Sequence, residues 1–242
     1  MDYLEMDVVV SKDKRVVIAH EPYMPANICT YPDGSKIHQS KEKELNLYQM
    51  DYEEIKQFNC GSKHPKFPEQ EAQEVYRPLL DELFEKAESY CKERGHEPIG
   101  YTIELKSHPL YDEVYHPDPV EFAQLVLRDI DKYGVRQRCV LQSFDYRVLR
   151  EFKSLAPELR ISMLVSDPFD LEEQLAALEF IPETIGPHFE LVDQQLIEDC
   201  HAKGISVVPW TVNEVDDMRR LIDLGVDGII TDYPNRKSLI VD

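Results

Sequence analysis

The sequence predicts an α/β fold, a (β/α)₈ barrel of the TIM type, and two patterns predict it. From residue 99 onward, short apolar runs alternate with amphipathic stretches of helical period, as in the βα units that build a parallel sheet. Polar residues also gather where those apolar runs end, and barrels of this type carry their active sites at that edge. We therefore expect a single barrel domain over residues 1–242.

Seven barrel strands are predicted, together with one hairpin strand. The barrel strands are Tyr3–Val10, Ile99–Lys106, Arg138–Phe144, Ile161–Val165, Thr184–His188, Ser206–Val212 and Gly228–Thr231. A short strand, Arg15–Ala19, is expected to pair with the first strand across the turn sequence SKDK. Since a closed barrel needs eight strands, the first βα unit is expected to be missing, with its place ahead of Met1.

Five helices fit between the later strands. They are Pro119–Tyr133, Tyr146–Ala156, Asp170–Phe180, Asp193–Lys203 and Glu214–Leu224. Asp170 and Asp193 can cap their helices with a side-chain oxygen. Gly204 and Gly225 follow their helices as left-handed caps would.

Residues 21–98 interrupt this alternation. Turn-forming stretches (YPDGSK and CGSKHPKFP) occur there beside two helical segments, Tyr52–Phe58 and Glu71–Arg94. We interpret residues 21 to about 75 as a small insertion on the carboxyl-end face of the barrel. The longer helix is then the outer helix that leads to the next strand.

Composition narrows the range of partners. The chain has 47 acidic and 27 basic residues and a formal net charge of −20, so its surface repels nucleic acids and anionic lipid head groups. No window approaches the ~20 apolar residues that a membrane-spanning helix needs. We expect a small-molecule partner, and an anionic one would need a local cation such as a metal ion.

The sequence also allows predictions of the cellular location and of the state of the cysteines. The acidic, strand-like opening is not a signal peptide. The chain as it stands is therefore predicted to be cytoplasmic, or periplasmic or exported if a signal peptide precedes Met1. The five cysteines are scattered and without a CxxC pair, so we predict buried thiols, with neither a zinc cluster nor a disulfide framework.

The strongest candidate site consists of acidic residues on neighbouring strands. Glu5 and Asp7 are two apart in a strand and therefore share a face. Two ionised carboxylates inside a barrel need a counter-charge, and Ca²⁺ and Mg²⁺ accept carboxylate oxygens as ligands. Alone, the pair could equally be the solvated face of an edge strand. Glu104 on the next barrel strand adds a third carboxylate, and Lys106 adds a cation suited to phosphate.

Two histidines and an aromatic residue extend this candidate site. His20 ends the hairpin strand beside the acids and is the first candidate for acid–base chemistry, with His188 as the second. Trp210, the only tryptophan, ends another strand and fits either a core aromatic or a substrate wall. The loop after the second barrel strand holds His108 and His116, and it could be a solvent-exposed lid or could shape a pocket for the alcohol group.

In this order, these segments resemble the glycerophosphodiester phosphodiesterase family, a branch of the phospholipase C-like phosphodiesterase barrels. The resemblance is carried by YLEMDVVVSKDKRVVIAHEP, IELK, SFD, PHF, VVPWTVN and MRRLIDLGVDGIITDYP. It implies a barrel with a small insertion after the second strand. It also implies that Glu5, Asp7 and Glu104 bind one divalent cation, Ca²⁺ or Mg²⁺.

The resemblance implies roles for three further residues. Lys106 would bind phosphate, His20 would be one of two catalytic histidines, and Trp210 would line the glycerol side. The implied reaction is hydrolysis of a glycerophosphodiester to sn-glycerol 3-phosphate and an alcohol. The glycerol 2-hydroxyl would attack first, and water would then open the cyclic phosphate, with the histidine pair passing protons.

The chain departs from the family pattern at its start. The family's first strand ends in His-Arg-Gly, which supplies the second catalytic histidine and a phosphate-binding arginine, whereas Met1 stands where the second βα unit begins. We expect either part of a longer protein or a natural short form, with an open barrel whose edges favour self-association. Hydrolysis is expected to be impaired by about 10²- to 10⁴-fold. The alternatives are a non-catalytic relic that binds metal or glycerophosphates, and a lyase on the same scaffold that forms cyclic phosphates.

Overall fold

The computed structural model describes residues 3–240, and there seven strands form one sheet. In chain order they are β1 (Tyr3–Val10), β2 (Val16–Ile18), β3 (Gly100–Leu105), β4 (Cys139–Ser143), β5 (Arg160–Val165), β6 (Thr184–Pro187) and β7 (Ser206–Val207). Across the sheet the order is β2-β1-β3-β4-β5-β6-β7. Every neighbouring pair is parallel except the hairpin of β1 and β2. The predicted α/β class and the predicted hairpin are confirmed.

The sheet is open. β2 and β7 lie at its two edges, and within residues 3–240 they do not pair with each other. An open sheet agrees with the prediction of a barrel without its first βα unit. Both edges are partly covered by other segments: Ile18 N–H on β2 donates to Pro78 C=O (2.8 Å), and Asp227 N–H donates to Val207 C=O on β7 (3.0 Å).

Seven α-helices occur in the same part of the chain. They are α1 (Tyr52–Ile55), α2 (Leu80–Arg94), α3 (Pro119–Tyr133), α4 (Tyr146–Leu155), α5 (Leu171–Leu178), α6 (Gln194–Ala202) and α7 (Val215–Leu224). As predicted, Asp170 and Asp193 accept hydrogen bonds from backbone N–H groups in the first turns of α5 and α6. Gly225 caps α7 with a positive φ, and Gly204 has a positive φ just after α6. Each helix within residues 3–240 is too short or too polar to span a lipid bilayer.

The predicted start of the long helix is wrong. The helix was expected from Glu71, but α2 begins only at Leu80. Pro78 lacks the N–H that a helix interior needs, and it disfavours helical backbone at the residue before it. The segment ahead of α2 therefore lies extended beside β2, where Leu79 pairs with Val17.

The last two predicted strands are also shorter in the structure. Only β7 is a regular strand, and residues 228–231 are irregular. Pro209 has no N–H to donate to a sheet ladder, which limits the length of β7. The two segments still lie side by side, because Val212 N–H donates to Ile230 C=O (2.8 Å) and Ile230 N–H donates to Pro209 C=O (2.9 Å).

The two faces of β1 border two different hydrophobic clusters. Met6, Val8 and Val10 belong to the main core, which includes buried side chains of β3–β7 and of helices α2–α7. Because side chains alternate along a strand, Glu5 and Asp7 lie on the opposite face. There the second cluster joins the hairpin to residues 24–60 and Leu79.

A disulfide lies in this second cluster, contrary to prediction. Cys29 and Cys60 are bonded across a separation of 31 residues. No spacing motif could have indicated the pair, since only the folding of the insertion brings the two residues together. The remaining cysteines, Cys91, Cys139 and Cys200, are free and buried, as predicted.

Candidate active site and metal centre

The acidic residues meet where β1 pairs with β3. The parallel register sets Asp7 beside Glu104, and Glu5 lies two residues earlier on the same face of β1. One oxygen from each of the three carboxylates lies within 4.8 Å of the others. The structure therefore brings together the three residues that were predicted as metal ligands.

Lys106 contacts two of these carboxylates. Its Nζ lies 2.7 Å from Glu104 Oε1 and 3.3 Å from Asp7 Oδ1. Burial acts to lower the pKa of Lys106, but the charges of Glu104 and Asp7 outweigh it and raise that pKa above its ordinary value. A single ammonium group thus faces three carboxyl groups, so negative charge remains in excess.

The excess of negative charge helps to raise the pKa values of two of the acids. Desolvation, together with the charges of Asp7 and Glu104, raises the pKa of Glu5 to about 8, although part of the Glu5 residue is exposed. Desolvation likewise raises the pKa of Glu104 to about 7, against the opposing effect of Lys106. A hard divalent cation would relieve this repulsion, so the chemistry of the donor set fits a metal ion.

Gln142 belongs to this group and was missed by sequence reasoning. It lies on β4 beside Glu104, is 2% exposed, and donates a hydrogen bond from Nε2 to Glu5 Oε1 (3.0 Å). Hydrogen bonding to a carboxylate favours its ionised form. The signal for this contact was available, because a glutamine inside an apolar strand needs a polar partner when buried.

His20 lies just beyond β2, and its neighbour Ala19 donates a backbone hydrogen bond to Asp7 C=O (3.0 Å). Its side chain is 66% exposed, and Nδ1 lies 2.8 Å from Glu21 Oε1. This hydrogen bond raises the pKa of His20, while the charge of Lys106 acts to lower it and that of Asp7 to raise it. Because Glu21 occupies Nδ1, Nε2 is the nitrogen that can exchange a proton with a ligand. A catalytic role for His20 stays a prediction.

The loop between β3 and α3 is organised by its own polar contacts. His116 is 1% exposed, its Nε2 accepts a hydrogen bond from His108 N–H (2.9 Å), and its Nδ1 lies 2.8 Å from Pro117 C=O. Ser107 Oγ donates to Asp145 Oδ2 (2.6 Å), which ties the start of the loop to the end of β4. His116 is thus a structural residue of the loop, and an influence of the loop on the alcohol group stays a prediction.

Trp210 belongs to an aromatic group at the carboxyl ends of the strands. Its ring lies edge-to-face with His188 (5.3 Å between centroids) and with Phe144 (5.5 Å). Trp210 Nε1 also donates to Gly186 C=O (2.7 Å), which fixes the orientation of the indole. Phe144 and His188 directly follow β4 and β6. The aromatic group therefore lies at the carboxyl ends of the strands, the end of the sheet to which the acidic residues also belong. Its use as a substrate wall stays a prediction.

Known proteins resemble this chain over nearly its whole length. The model of the glycerophosphoryl diester phosphodiesterase family matches residues 1–236. A glycerophosphodiester phosphodiesterase of Caldanaerobacter subterraneus subsp. tengcongensis is 30% identical over 233 residues, which cover 96% of this chain and 83% of that protein.

Solved structures share the fold over nearly the whole chain. A Silicibacter pomeroyi protein assigned as a glycerophosphoryl diester phosphodiesterase has a TM-score of 0.86 at 29% identity, covering 99% of this chain and 83% of that one. A phosphodiesterase of Oleispira antarctica, solved in complex with its product sn-glycerol-3-phosphate, has a TM-score of 0.76 at 24% identity and covers 99% and 85%. The chain therefore belongs to the glycerophosphoryl diester phosphodiesterase family and is a phosphoric diester hydrolase.

Proposed function

We propose that this chain hydrolyses glycerophosphodiesters with one divalent cation, Ca²⁺ or Mg²⁺, and releases sn-glycerol 3-phosphate and an alcohol. The observation that carries the proposal is the convergence of Glu5, Asp7 and Glu104, with oxygens within 4.8 Å of one another. Family membership supports the substrate class. The Oleispira phosphodiesterase, which shares the fold, was solved with the same product.

The three carboxylates suit such a cation. Glu5, Asp7 and Glu104 offer hard oxygen ligands, and the raised pKa values of Glu5 and Glu104 mean that Lys106 alone does not offset their charge. When bound, the cation would neutralise charge on the phosphodiester and polarise its phosphoryl oxygens.

Lys106 and His20 are proposed to do the remaining chemistry. Lys106 can hold a phosphate oxygen beside the carboxylates that already orient its ammonium group. His20 can give a proton from Nε2 to the leaving alcohol oxygen, while Glu21 at Nδ1 stabilises the imidazolium form that makes this possible. Overall, the bond from phosphorus to the alcohol oxygen breaks and an oxygen from water takes its place. Trp210 is proposed to line the glycerol side.

Turnover by residues 1–242 alone is proposed to be low for a member of this family. His20 is one proposed catalytic histidine, whereas the family pattern implies a pair of histidines. Loss of half of an acid–base pair lowers a rate by about 10²- to 10⁴-fold. This expectation is separate from metal binding, because the three proposed ligands lie on β1 and β3.

Location and assembly are proposed from the disulfide and from the two edge strands of the sheet. The Cys29–Cys60 disulfide favours an oxidising compartment, such as the periplasm or the exterior, over the cytoplasm. Self-association through the sheet edges is proposed to be limited, because backbone hydrogen bonds from Ile18 and Asp227 already cover part of each edge.

Phosphorus NMR of glycerophosphocholine incubated with the purified chain tests the proposal. We expect sn-glycerol 3-phosphate to appear with Ca²⁺ or Mg²⁺ and not with chelator, and the Asp7→Asn variant to abolish it. Glu158→Gln is the matched control, because Glu158 is an exposed acid that pairs with Arg136 away from the site. An accumulating cyclic phosphate would indicate the lyase. Cation binding without any product would indicate the relic.

A further inference from the structure

Arg77 carries a charge that is not paired within residues 3–240. Its Nε is buried without a hydrogen-bond partner, the only side-chain nitrogen or oxygen in the described part of the chain with this property. No carboxylate of residues 3–240 forms an ion pair with its guanidinium group either. Buried polar groups in proteins rarely lack a partner. Arg77 as a whole is only half-buried, so its guanidinium group stays within reach of solvent and of a ligand from outside the chain.

Strand register sets the position of Arg77. Pro78 favours an extended backbone at the residue before it, and the extended segment runs antiparallel to β2, with Leu79 opposite Val17. Continuing that register by two residues sets Arg77 opposite Ala19. Residues two apart share a face, so Arg77 lies on the same face as Ala19.

The same face carries the acidic group. Ala19 N–H donates to Asp7 C=O (3.0 Å), and Asp7 lies beside Glu104. A row therefore crosses four adjacent backbone segments and consists of Glu104, Asp7, Ala19 and Arg77. Neighbouring segments are about 4.8 Å apart. Ala19 is the one position between Asp7 and Arg77 in this row, and its side chain is a methyl group, so the gap is one that a guanidinium side chain can cross. Burial lowers the pKa of Arg77, and the negative charges of Glu21 and Asp7 act against this, which agrees with the short separation.

The carboxylates nearest to Arg77 are engaged elsewhere. Asp7 lies 3.3 Å from Lys106 Nζ, and Glu21 lies 2.8 Å from His20 Nδ1. The two cations, Lys106 and Arg77, thus flank β1 from opposite sides. A ligand anion placed over the acidic group would have one cation on each side of it.

We propose that Arg77 is an anion-binding residue of this site and receives a non-bridging phosphate oxygen of the substrate on the side opposite Lys106. The identity of the anion as a phosphodiester rests on the proposed function. The planar guanidinium group can give two parallel hydrogen bonds to phosphate oxygens, which an ammonium group cannot. Arg77 therefore contributes to substrate affinity, whereas His20 contributes to the proton transfer.

Calorimetric binding of sn-glycerol 3-phosphate at saturating Ca²⁺ tests this inference. The Arg77→Gln variant should bind about 10- to 100-fold more weakly than the wild type, the range for hydrogen bonds to charged groups, and Arg77→Lys should fall between the two. KM for glycerophosphocholine should rise in parallel, while kcat changes less. Arg94→Gln is the matched control: it removes the same charge from the exposed end of α2 and should leave the affinity unchanged.

The outcomes separate this inference from the proposed function. Wild-type affinity in a folded Arg77→Gln variant overturns the inference, as does failure of the wild type to bind sn-glycerol 3-phosphate. If Arg77→Gln does not fold, Arg77→Lys decides, and an affinity equal to wild type overturns the inference. Ca²⁺ affinity measured on the same variants should stay within about twofold of wild type, because a purely structural role would disturb the acidic group as well. A wild type that binds through Arg77 but hydrolyses nothing overturns only the proposed function.

Discussion

The strand pair β1–β3 and the segment of residues 21–79, which contains the insertion, bring charged groups to the same end of the sheet by different means. On the strands, a repeat of two residues and a parallel register align Asp7 with Glu104. The insertion has no long regular element, and a small apolar cluster and the Cys29–Cys60 disulfide hold it together. The position of the charges on the strands is thus set by neighbours in the chain, whereas the position of Arg77 depends on the pairing of a distant segment with β2.

The largest effect is expected from a substitution in the acidic group on β1 and β3. Glu104→Gln removes a proposed cation ligand and should lower the rate of hydrolysis by about 10³-fold, since metal stabilisation of the transition state amounts to several kcal/mol. The rate is measured at saturating Ca²⁺, with Glu158→Gln as the control and circular dichroism to confirm folding. Unchanged activity in a folded variant would remove the acidic group from the reaction.

The next largest effect concerns the insertion. Replacing Cys29 and Cys60 by serine opens a loop of 31 residues and should lower the free energy of unfolding by about 3–4 kcal/mol. Urea denaturation of the variant and the wild type measures this, and reductant should destabilise only the wild type. Cys91→Ser changes a buried free thiol and is the control. Equal stability of the oxidised and reduced wild type would show that the insertion does not need its disulfide.

A smaller effect is expected at the contact between β4 and the acidic group. Gln142→Ala removes the hydrogen bond to Glu5 Oε1 (3.0 Å) and should weaken Ca²⁺ binding by about tenfold, as for other partners that orient metal ligands. Calorimetry at pH 7 measures the affinity. Gln195→Ala, which removes a similar hydrogen bond to Asp199 on the surface of α6, serves as the control. An unaltered affinity would mean that Gln142 does not orient Glu5.

The smallest effect is expected for the dependence of stability on pH without metal, because Glu5 is exposed and solvent screens its interactions. The pKa of Glu5 is raised from 4.5 to about 8 in the folded chain, so its contribution to stability is full below pH ~4.5 and is lost as the pH rises to ~8. The melting temperature in chelator should therefore fall over this range, Ca²⁺ should restore it, and Glu5→Gln should flatten the slope. A melting temperature of the wild type that does not change between pH 5 and 8.5 in chelator would contradict the shift.

Much of the strand framework was accessible from sequence because it depends on neighbours in the chain. The apolar positions of Tyr3–Val10 alternate with acids, and the structure has this strand with the predicted ends. The predicted end of the long helix, Arg94, is also the end in the structure, where Gly95 follows it as a left-handed cap (φ 65°). The start of that helix was misjudged because pairing with β2 outweighed local helix propensity.

By itself, the sequence determined the α/β class, the shared face of Glu5 and Asp7, and the third carboxylate one strand away, because the alternation along a strand is local. Only the tertiary structure decided that Cys29 bonds to Cys60, that Gln142 reaches Glu5, and that Arg77 lies in the row of the acidic group. These contacts join residues distant in the chain, and no local pattern encodes which distant segments will meet. Their geometry follows from burying the apolar faces of all the segments together.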